Sequence, residues 1–276
     1  MTYRQVVKNL TPLLKEITHI PQKEVEILLL SIVKQNPIWL HMNYNEDCTC
    51  DKELEKLVKK RATDYPLEYI TKKASFYGEQ FFVETNVLIP RPETELLVEK
   101  TIEILKPLNK PLKILEIGIG SGIISTMLAK ELDDVSIIAV DINPDAIALA
   151  KKNFTYHKVE NKITLVESNL FTNVNGMDFD VVISNPPYIK NDFVLPKNVT
   201  HEPSNALFGG EVGDEILKDI IDQTYNKKIP YLFCEMGYDQ KERLGKYLSQ
   251  FKTKFVEFYK DYSDFDRGFL VEFYHE

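Results

Sequence analysis

The sequence predicts an α/β protein with a mostly parallel sheet, preceded by a smaller region that is entirely helical. From Lys113 onward, short apolar runs rich in β-branched residues alternate with amphipathic helical patterns. Repeated β-α units of this kind imply a parallel sheet with helices on both faces. Residues 1–73 show helical periodicity only. We therefore expect a helical domain over residues 1–73, a β-hairpin and linker over residues 74–92, and an α/β domain over residues 93–276.

The helical region is expected to contain amphipathic helices and no strand. Leu54, Leu57 and Val58 share one face of the third helix. The pair Asn36-Pro37 predicts the end of the second helix. After this region the sequence period changes to two, which predicts a short hairpin formed by residues 75–83 and 87–89. The predicted helices cover residues 10–17, 25–33 and 51–62.

The α/β region opens with acidic residues, Glu93 and Glu95, which suit the positive end of a helix dipole. The strands that follow are short and apolar. The last two strands are joined without a helix, so one of them is expected to pair antiparallel at the edge of the sheet. Strands are predicted at residues 114–117, 137–140, 163–166, 179–183, 231–234, 256–259 and 269–273, and helices from residue 93 and at 123–132, 144–153, 216–225 and 240–248.

Length and composition are typical of a soluble globular protein. The chain has 276 residues, of which 43% are hydrophobic and 28% charged. Its apolar runs are far shorter than the ~18–20 residues that a membrane helix needs, and its first residues lack the apolar core of a signal peptide. A cytoplasmic location is therefore expected. The formal charge of −8 argues against a surface built to bind nucleic acid, which needs clustered Lys and Arg.

The cysteines predict neither a disulfide framework nor a zinc site. Cys48 and Cys50 are spaced too closely for a usual zinc knuckle and have no second Cys/His pair nearby. Cys234 stands alone in an apolar strand. We expect reduced structural thiols and no bound metal.

A rigid turn follows the strand predicted at residues 179–183. It consists of Asn185, Pro186, Pro187 and Tyr188. Two consecutive prolines end the strand, so the backbone leaves the sheet at its carboxyl edge, where ligands bind in open α/β sheets. The Asn185 side-chain oxygen and the Pro186 carbonyl offer two acceptors to one planar –NH2 group, and Tyr188 offers a flat wall beside it. This arrangement suits an amide or exocyclic amine whose nitrogen must face an electrophile.

A glycine-rich turn lies between the first strand and the helix after it. Glycines at this position let the backbone approach a ligand closely. Asp141 ends the next strand, where a carboxylate can accept hydrogen bonds from both hydroxyls of a ribose. The combination predicts an adenosine-containing cofactor. The residues of the turn are Gly118, Ile119, Gly120, Ser121 and Gly122.

The glycine spacing favours S-adenosylmethionine among such cofactors. The pattern is Gly-x-Gly-x-Gly rather than the Gly-x-Gly-x-x-Gly of dinucleotide sites, and the Gly-Lys-Ser/Thr of a P-loop is absent. S-adenosylmethionine carries no phosphate and presents an amino acid end, a ribose and an adenine. Glu116 is a candidate for binding the cationic amino group, and Asn169 and Leu170 are placed to flank the adenine. The expected product is S-adenosylhomocysteine.

Together these residues resemble the release factor glutamine methyltransferases (the PrmC/HemK family). The resemblance rests on the Asn-Pro-Pro-Tyr turn, the glycine loop, Asp141 and, most specifically, the segment Ile89-Pro90-Arg91-Pro92-Glu93-Thr94-Glu95. Glu202-Pro203 and Glu235-Met236-Gly237 are supporting matches. The matching segments span roughly residues 60–240, and the order of elements fits the whole chain.

The resemblance implies a Rossmann-like class I methyltransferase domain with a mostly parallel seven-stranded sheet. It implies transfer of a methyl group from S-adenosylmethionine to the side-chain amide nitrogen (N5) of the glutamine in the Gly-Gly-Gln motif of peptide chain release factors 1 and 2, which modulates translation termination. Asn185, Pro186 and Tyr188 would be catalytic, Pro187 would contact the substrate, and Asn185 would also contact the cofactor. The helical domain and hairpin would help to hold the release factor. A monomer without membrane or nucleic-acid partners is expected.

The residues alone leave other functions open. A related amino-methyltransferase would act on a glutamine of a ribosomal protein or on adenine in nucleic acid. An enzyme that acts on adenine needs a stacking pocket for a flipped base and a basic surface. The negative net charge of this chain disfavours such a surface. A cofactor-binding scaffold without turnover would not need the Asn185–Tyr188 turn. A nicotinamide oxidoreductase is disfavoured by the glycine spacing.

Overall fold

The computed structural model describes residues 1–275, which form two compact units. The first unit comprises residues 1–73 together with residues 195–201, and the second comprises the other described residues. The short segment 195–201 is therefore part of the helical unit although it lies far along the chain, and its His201 ring lies 5.1 Å from the ring of Tyr65, centroid to centroid. No helix within residues 1–275 is both long and apolar enough to span a membrane.

The helical unit is held together by a small apolar core and one buried ion pair. Val6, Leu28 and Leu54, on three different helices, are almost entirely shielded from solvent. The Arg61 guanidinium donates to Glu24 at 2.7 Å, and both side chains are largely buried. The helices of this unit are α1 (Tyr3–Leu10), α2 (Pro21–Val33), α3 (Pro37–Asn43), α4 (Asp51–Arg61) and α5 (Leu67–Thr71).

The helix predicted at residues 10–17 is wrong. α1 already ends at Leu10, and a short 3-10 helix, Thr11–Leu14, follows it. Pro12 explains the change, because it has no N–H to continue the α-helical ladder.

The role predicted for Pro37 is also wrong, because this residue begins a helix. The Asn36 side chain accepts a hydrogen bond from the Trp39 N–H at 2.9 Å and so caps α3, with Pro37 at the first helical position. Proline is favoured there because its fixed φ suits the helix and its missing N–H would have no partner. The preceding helix ends at Val33, as predicted, and Lys34 after it adopts a left-handed conformation.

The hairpin of the second unit is shorter than predicted. Its strands are β1 (Lys73–Phe76) and β2 (Glu79–Phe82), joined by two residues with positive φ, Tyr77 at 54° and Gly78 at 75°. Two such residues are the requirement of a type I′ turn, which matches the twist of paired strands. The pairing expected for residues 87–89 is absent: this segment carries no described strand.

The main body of the second unit confirms the predicted fold. Its seven-stranded sheet has the order β10-β11-β9-β6-β3-β4-β5. All neighbours are parallel except the pairs β9–β11 and β11–β10, so the reversed strand is β11 and β10 forms the edge. The elements are α6 (Thr94–Leu105), β3 (Leu112–Ile117), α7 (Ile123–Glu131), β4 (Val135–Asp141), α8 (Pro144–His157), β5 (Ile163–Glu167), β6 (Val181–Ser184), β7 (Ile189–Lys190), β8 (Phe208–Gly210), α9 (Glu215–Asn226), β9 (Tyr231–Glu235), α10 (Lys241–Leu248), β10 (Thr253–Lys260) and β11 (Asp266–Phe273).

The sheet separates two apolar cores and brings three strand ends to one edge. Ile114 and Ile183 belong to the core on one face, and Leu115 and Val182 to the core on the other. At the carboxyl edge, Ile117 of β3 is in register with Val140, the second-last residue of β4, and with Ser184, the last residue of β6. The segments that follow these strands therefore start side by side, at the edge where ligands bind in this class of sheet.

Candidate active site

A cavity of about 360 Å³ opens at the carboxyl edge of the sheet. It is lined by residues at and after the ends of β3, β4, β5 and β6, and by residues of two further segments, 86–88 and 205–208. Of the residues predicted from the sequence, those that line it are Gly118, Gly120, Asp141, Asn169, Leu170, Asn185, Pro186 and Pro187.

Backbone hydrogen bonds hold the glycine loop against the end of β4. The N–H groups of Gly118 and Ile119 both donate to the Val140 carbonyl, at 2.9 and 3.0 Å. Gly122 is the N-cap residue of α7 and has a φ of +81°, and a Cβ there would lie 2.7 Å from the Phe154 ring. Glycine is required at this position on both counts. Gly122 does not line this cavity, so its role is to shape the glycine loop.

Asp141 is anchored by the loops that surround it. One of its carboxylate oxygens accepts from the Gly120 N–H at 3.0 Å, and the other from the Asn143 N–H at 2.8 Å. Burial raises the pKa of Asp141 above its ordinary value, although these N–H groups favour the charged form. Each oxygen keeps a further lone pair for a ligand hydroxyl.

Glu116 lies at a second, smaller cavity of about 40 Å³, which shares Gly118, Gly120 and Asn185 with the first. Its Oε2 accepts from the Ser125 N–H at 2.9 Å and from the Ser125 hydroxyl. Its Oε1 is buried and has no hydrogen-bond partner in the described part of the chain. Burial raises the pKa of Glu116 to about 8. Ile119 and Ser121 also line this second cavity.

The Asn185 side chain is held by a buried chain of hydrogen bonds. Its Nδ2 donates to the Thr94 hydroxyl oxygen at 3.0 Å, and that hydroxyl donates to Glu235 Oε2 at 2.7 Å. Thr94 and Glu235 are almost fully buried. Because Nδ2 faces Thr94, the Asn185 Oδ1 is left as the acceptor of this side chain.

Tyr188 belongs to the same network and lines neither cavity. Its hydroxyl donates to Glu235 Oε1 at 2.8 Å, and its backbone carbonyl accepts from Gln240 Nε2 at 2.9 Å. Burial raises the pKa of the phenol, and the neighbouring Glu235 carboxylate adds to the effect. Burial also raises the pKa of Glu235, against the hydrogen bonds from Thr94 and Tyr188 and the charge of Arg267. The expected packing of Tyr188 against a substrate stays a prediction.

An ion pair joins two segments beside the cavities. Glu202 accepts from the Ile89 N–H at 3.1 Å and from the Arg91 guanidinium at 2.5 Å, and its side chain is 2% exposed. These contacts fix the segment leading into α6 next to the turn that begins at Pro203. Residues on both segments line the larger cavity.

Sequence reasoning missed Thr94 and Glu235 as members of the site. In the sequence, both residues belong to segments that resemble the methyltransferase family, but neither residue is near Asn185. Thr94 begins α6 and Glu235 ends β9, so the start of α6 meets the end of β9 at this edge of the sheet. A polar residue at the end of a buried strand was the available signal for Glu235.

Residues 5–71 match the PrmC N-terminal domain, and residues 93–203 match the Methyltransferase small domain. The N-terminal domain of human METTL16 in complex with SAH has a TM-score of 0.54 at 17% identity and covers 71% of this chain and 76% of its own. The human methyltransferase 10 domain containing protein gives 0.55 at 17%, covering 72% and 90%. These two structures support the fold.

Relatives of similar length share about a third of their residues with this chain. The release factor glutamine methyltransferase of Dictyoglomus turgidum is 37% identical, covering 97% of both chains. That of Aquifex aeolicus is 34% identical, covering 94% of both. That of Escherichia coli is 32% identical, covering 92% of this chain and 93% of its own. The chain therefore belongs to the release factor glutamine methyltransferase family.

Proposed function

We propose that this chain transfers a methyl group from S-adenosylmethionine to N5 of the glutamine in the Gly-Gly-Gln motif of release factors 1 and 2. Family membership supports the reaction. The observation that carries it here is the Asn185 side chain, whose Nδ2 is held by Thr94 at 3.0 Å while Oδ1 remains for a ligand at the cavity wall. The neighbouring Pro186 carbonyl is the second acceptor.

The residues around the two cavities fit S-adenosylmethionine. Glu116 Oε1 is a buried acceptor without a partner, as expected for an atom that receives a cationic amino group. The spare lone pairs of Asp141 suit the two ribose hydroxyls, and Asn169 and Leu170 lie where the wall would flank an adenine. When bound, S-adenosylmethionine supplies an electrophilic methyl group on a positively charged sulfur and leaves as neutral S-adenosylhomocysteine.

The chain's own contribution is to orient a weak nucleophile. The lone pair of an amide nitrogen is delocalised into its carbonyl, so the nitrogen reacts only when it is well aligned. Asn185 Oδ1 and the Pro186 carbonyl would each accept one N–H of the glutamine –NH2, which fixes the plane of the amide. As the nitrogen gains a methyl group it becomes more positive, and both acceptors stabilise that charge. The nitrogen then releases one proton, which balances the reaction, and water can receive it.

We assign the helical unit, residues 1–73 with 195–201, to recognition of the release factor, and we expect a monomer acting in the cytoplasm. Ile38 and Met42 support this assignment, because they lie one turn apart on α3 and are 71% and 80% exposed. Large contiguous apolar patches on a surface mark contact sites for partners, and we propose that these two side chains form part of such a patch. Changing both to serine should raise the KM for the release factor while leaving kcat and cofactor affinity unchanged. An unaltered KM would contradict the assignment.

The direct test is a methylation assay with alternative acceptors. The purified chain is incubated with labelled S-adenosylmethionine and, separately, release factor 1, release factor 2, a ribosomal protein and DNA. We expect label only in the release factors, at the Gly-Gly-Gln glutamine as located by tandem mass spectrometry. Label in the ribosomal protein or DNA alone, or in no acceptor, would overturn the proposal.

A further inference from the structure

We propose that Thr94 and Glu235 are positioning residues that dictate which way the Asn185 carboxamide faces, and that they thereby make the site select glutamine over glutamate. This inference rests on the proposed function and deepens it. Neither residue needs to touch the substrate. Both act through Asn185, which stands at the wall shared by the two cavities.

The direction of the hydrogen bonds follows from the chemistry of a hydroxyl group. A threonine hydroxyl has one hydrogen, and that of Thr94 is donated to Glu235 Oε2 at 2.7 Å, while Oε1 of the same carboxyl group accepts from the Tyr188 hydroxyl. Thr94 Oγ1 can therefore only accept from Asn185, at 3.0 Å. Only the –NH2 side of the Asn185 carboxamide can satisfy it. The opposite orientation would set two acceptor oxygens against each other in a buried place, which is costly.

Glu235 is itself fixed from several sides. Its Oε1 accepts from the Tyr188 hydroxyl at 2.8 Å, so both carboxylate oxygens are engaged. The guanidinium of Arg267 is the nearby positive charge and is held at 2.7 Å by Asp261. The Glu235 carboxyl group is therefore the fixed acceptor at the end of the hydrogen-bond chain Asn185–Thr94–Glu235. It determines the orientation of the Thr94 hydroxyl and, through it, of the Asn185 –NH2 group.

Orientation of Asn185 has a direct consequence for selectivity. With Oδ1 facing the ligand, Asn185 and the Pro186 carbonyl form a pair of acceptors, which suits the –NH2 of glutamine and repels a carboxylate. A reversed Asn185 would present –NH2, which suits a carboxylate oxygen instead. Loss of the Thr94–Glu235 anchor would therefore weaken turnover and also improve the binding of a glutamate at the same place.

Substitutions at Thr94 give the sharpest test, because one change removes the hydroxyl and keeps the shape, and another keeps the hydroxyl and removes only a methyl group. Thr94→Val keeps the volume and removes the hydroxyl, whereas Thr94→Ser keeps the hydroxyl. Thr101→Val is the matched control: Thr101 is fully buried on the same helix, and its hydroxyl donates only to the Leu97 carbonyl of that helix, at 2.7 Å. Glu235→Gln provides a second way to free the Asn185 carboxamide. The glutamine –NH2 can donate to Thr94, and the Thr94 hydroxyl can then donate to Asn185 instead of accepting from it.

The readouts are kcat, the KM for the release factor, the Kd for S-adenosylhomocysteine, and inhibition by a release factor whose Gly-Gly-Gln glutamine is replaced by glutamate. For Thr94→Val and Glu235→Gln we expect kcat to fall about tenfold or more and the glutamate-bearing competitor to bind about tenfold more tightly relative to the substrate. Thr94→Ser should remain within about threefold of the unmodified chain, as should Thr101→Val.

The inference and the proposed function fail in different ways. An unmodified chain that leaves release factors unmethylated contradicts the proposed function. If the unmodified chain does methylate release factors, three results would contradict this inference and leave the proposed function standing. Thr94→Val could behave like Thr101→Val, or Thr94→Ser could fail to restore turnover. The third result is a selectivity against glutamate that is unchanged in both Thr94→Val and Glu235→Gln. Should Thr94→Val not fold, Glu235→Gln with the same competitor decides the question.

Discussion

The two ends of the site are built by different means. The proposed cofactor end, from Glu116 to Asp141, is a short stretch of chain in which backbone N–H groups hold the loop and its carboxylate. The acceptor end joins side chains that are far apart in the sequence: Thr94 and Glu235, which share a hydrogen bond, are separated by 141 positions. A site held by its own backbone depends on local sequence. A site held by side chains depends on the whole fold.

This difference predicts which kinetic quantity each substitution should change. Changes at the cofactor end should weaken binding of S-adenosylmethionine and leave turnover at saturation nearly intact. Changes at the acceptor end should lower kcat and leave cofactor affinity nearly intact. A variant that changes kcat and the Kd for the cofactor by the same factor would contradict this division of the site into two ends.

The largest effect is expected for Asn185→Ala. Removing the side chain eliminates the orienting acceptor, so kcat should fall on the order of 100-fold or more. Cofactor affinity should stay within about tenfold, because the glycine loop and Asp141 remain in place. Steady-state kinetics with release factor 1, together with calorimetric titration of S-adenosylhomocysteine, measure both quantities. Unchanged turnover would refute the role of Asn185 as an acceptor.

Asp141→Ala tests the opposite end. Loss of a carboxylate that we propose accepts two ligand hydroxyls should raise the Kd for S-adenosylhomocysteine about 10- to 100-fold, at roughly 1.5–3 kcal/mol for hydrogen bonds to a charged group. Turnover at saturating cofactor should change by less than about threefold. Asp134→Ala is the control, since Asp134 lies at the other end of β4 and its carbonyl, which Ala keeps, accepts from Leu112. A larger effect on kcat than on Kd would contradict the comparison.

Cofactor binding should also depend on pH through Glu116. Burial raises the pKa of Glu116 to about 8, so the carboxyl is mostly protonated in the free protein at neutral pH. Pairing with an ammonium group requires the charged form, so binding releases a proton and affinity rises with pH. Below pH 8 the association constant should increase by up to about tenfold per pH unit.

Calorimetric titrations at pH 6 and pH 7, in buffers of different ionisation enthalpy, measure this proton release. Glu116→Gln should bind more weakly and lose the dependence on pH, because it cannot ionise. An affinity that is flat between pH 6 and pH 7 would show that Glu116 does not pair with the amino group.

The smallest effect is expected at Gln240, which holds the backbone of Tyr188 at the acceptor end of the site. Its Nε2 donates to the Tyr188 carbonyl at 2.9 Å, and its Oε1 accepts from the Gly237 N–H at 2.9 Å. Gln240→Leu removes both bonds and leaves two backbone groups unpaired, which costs about 1–3 kcal/mol of stability. We expect a lower melting temperature and a few-fold loss of kcat, with cofactor affinity retained. A change in the Kd for the cofactor without a change in kcat would contradict the assignment of Gln240 to the acceptor end.

The sequence predicted most of what is local. The glycine loop, Asp141 and the turn at Asn185 are short motifs on strands with strong β-branched patterns, and the mostly parallel sheet is confirmed. The membership of Thr94 and Glu235 in one network was beyond prediction, because strand order decides which distant residues meet at an edge. β9 lies beside β6 in the sheet, although about fifty residues separate them in the chain.

The errors in the helical unit and the hairpin came from residues with two possible roles. Pro37 follows a helix and precedes another, and only the Asn36 cap reveals that it begins α3. In the hairpin, Tyr77 adopts the positive φ that the turn requires although tyrosine rarely does so. That choice depends on tertiary packing, such as the bond from the Tyr77 N–H to Glu95 at 2.6 Å.

The structure of a complex with S-adenosylhomocysteine and a Gly-Gly-Gln peptide tests the central claim most directly. We predict that the glutamine amide nitrogen lies about 3 Å from both Asn185 Oδ1 and the Pro186 carbonyl oxygen, with Asn185 Nδ2 still bound to Thr94. A glutamine whose nitrogen contacts neither acceptor, or an Asn185 that turns its –NH2 to the substrate, would contradict it.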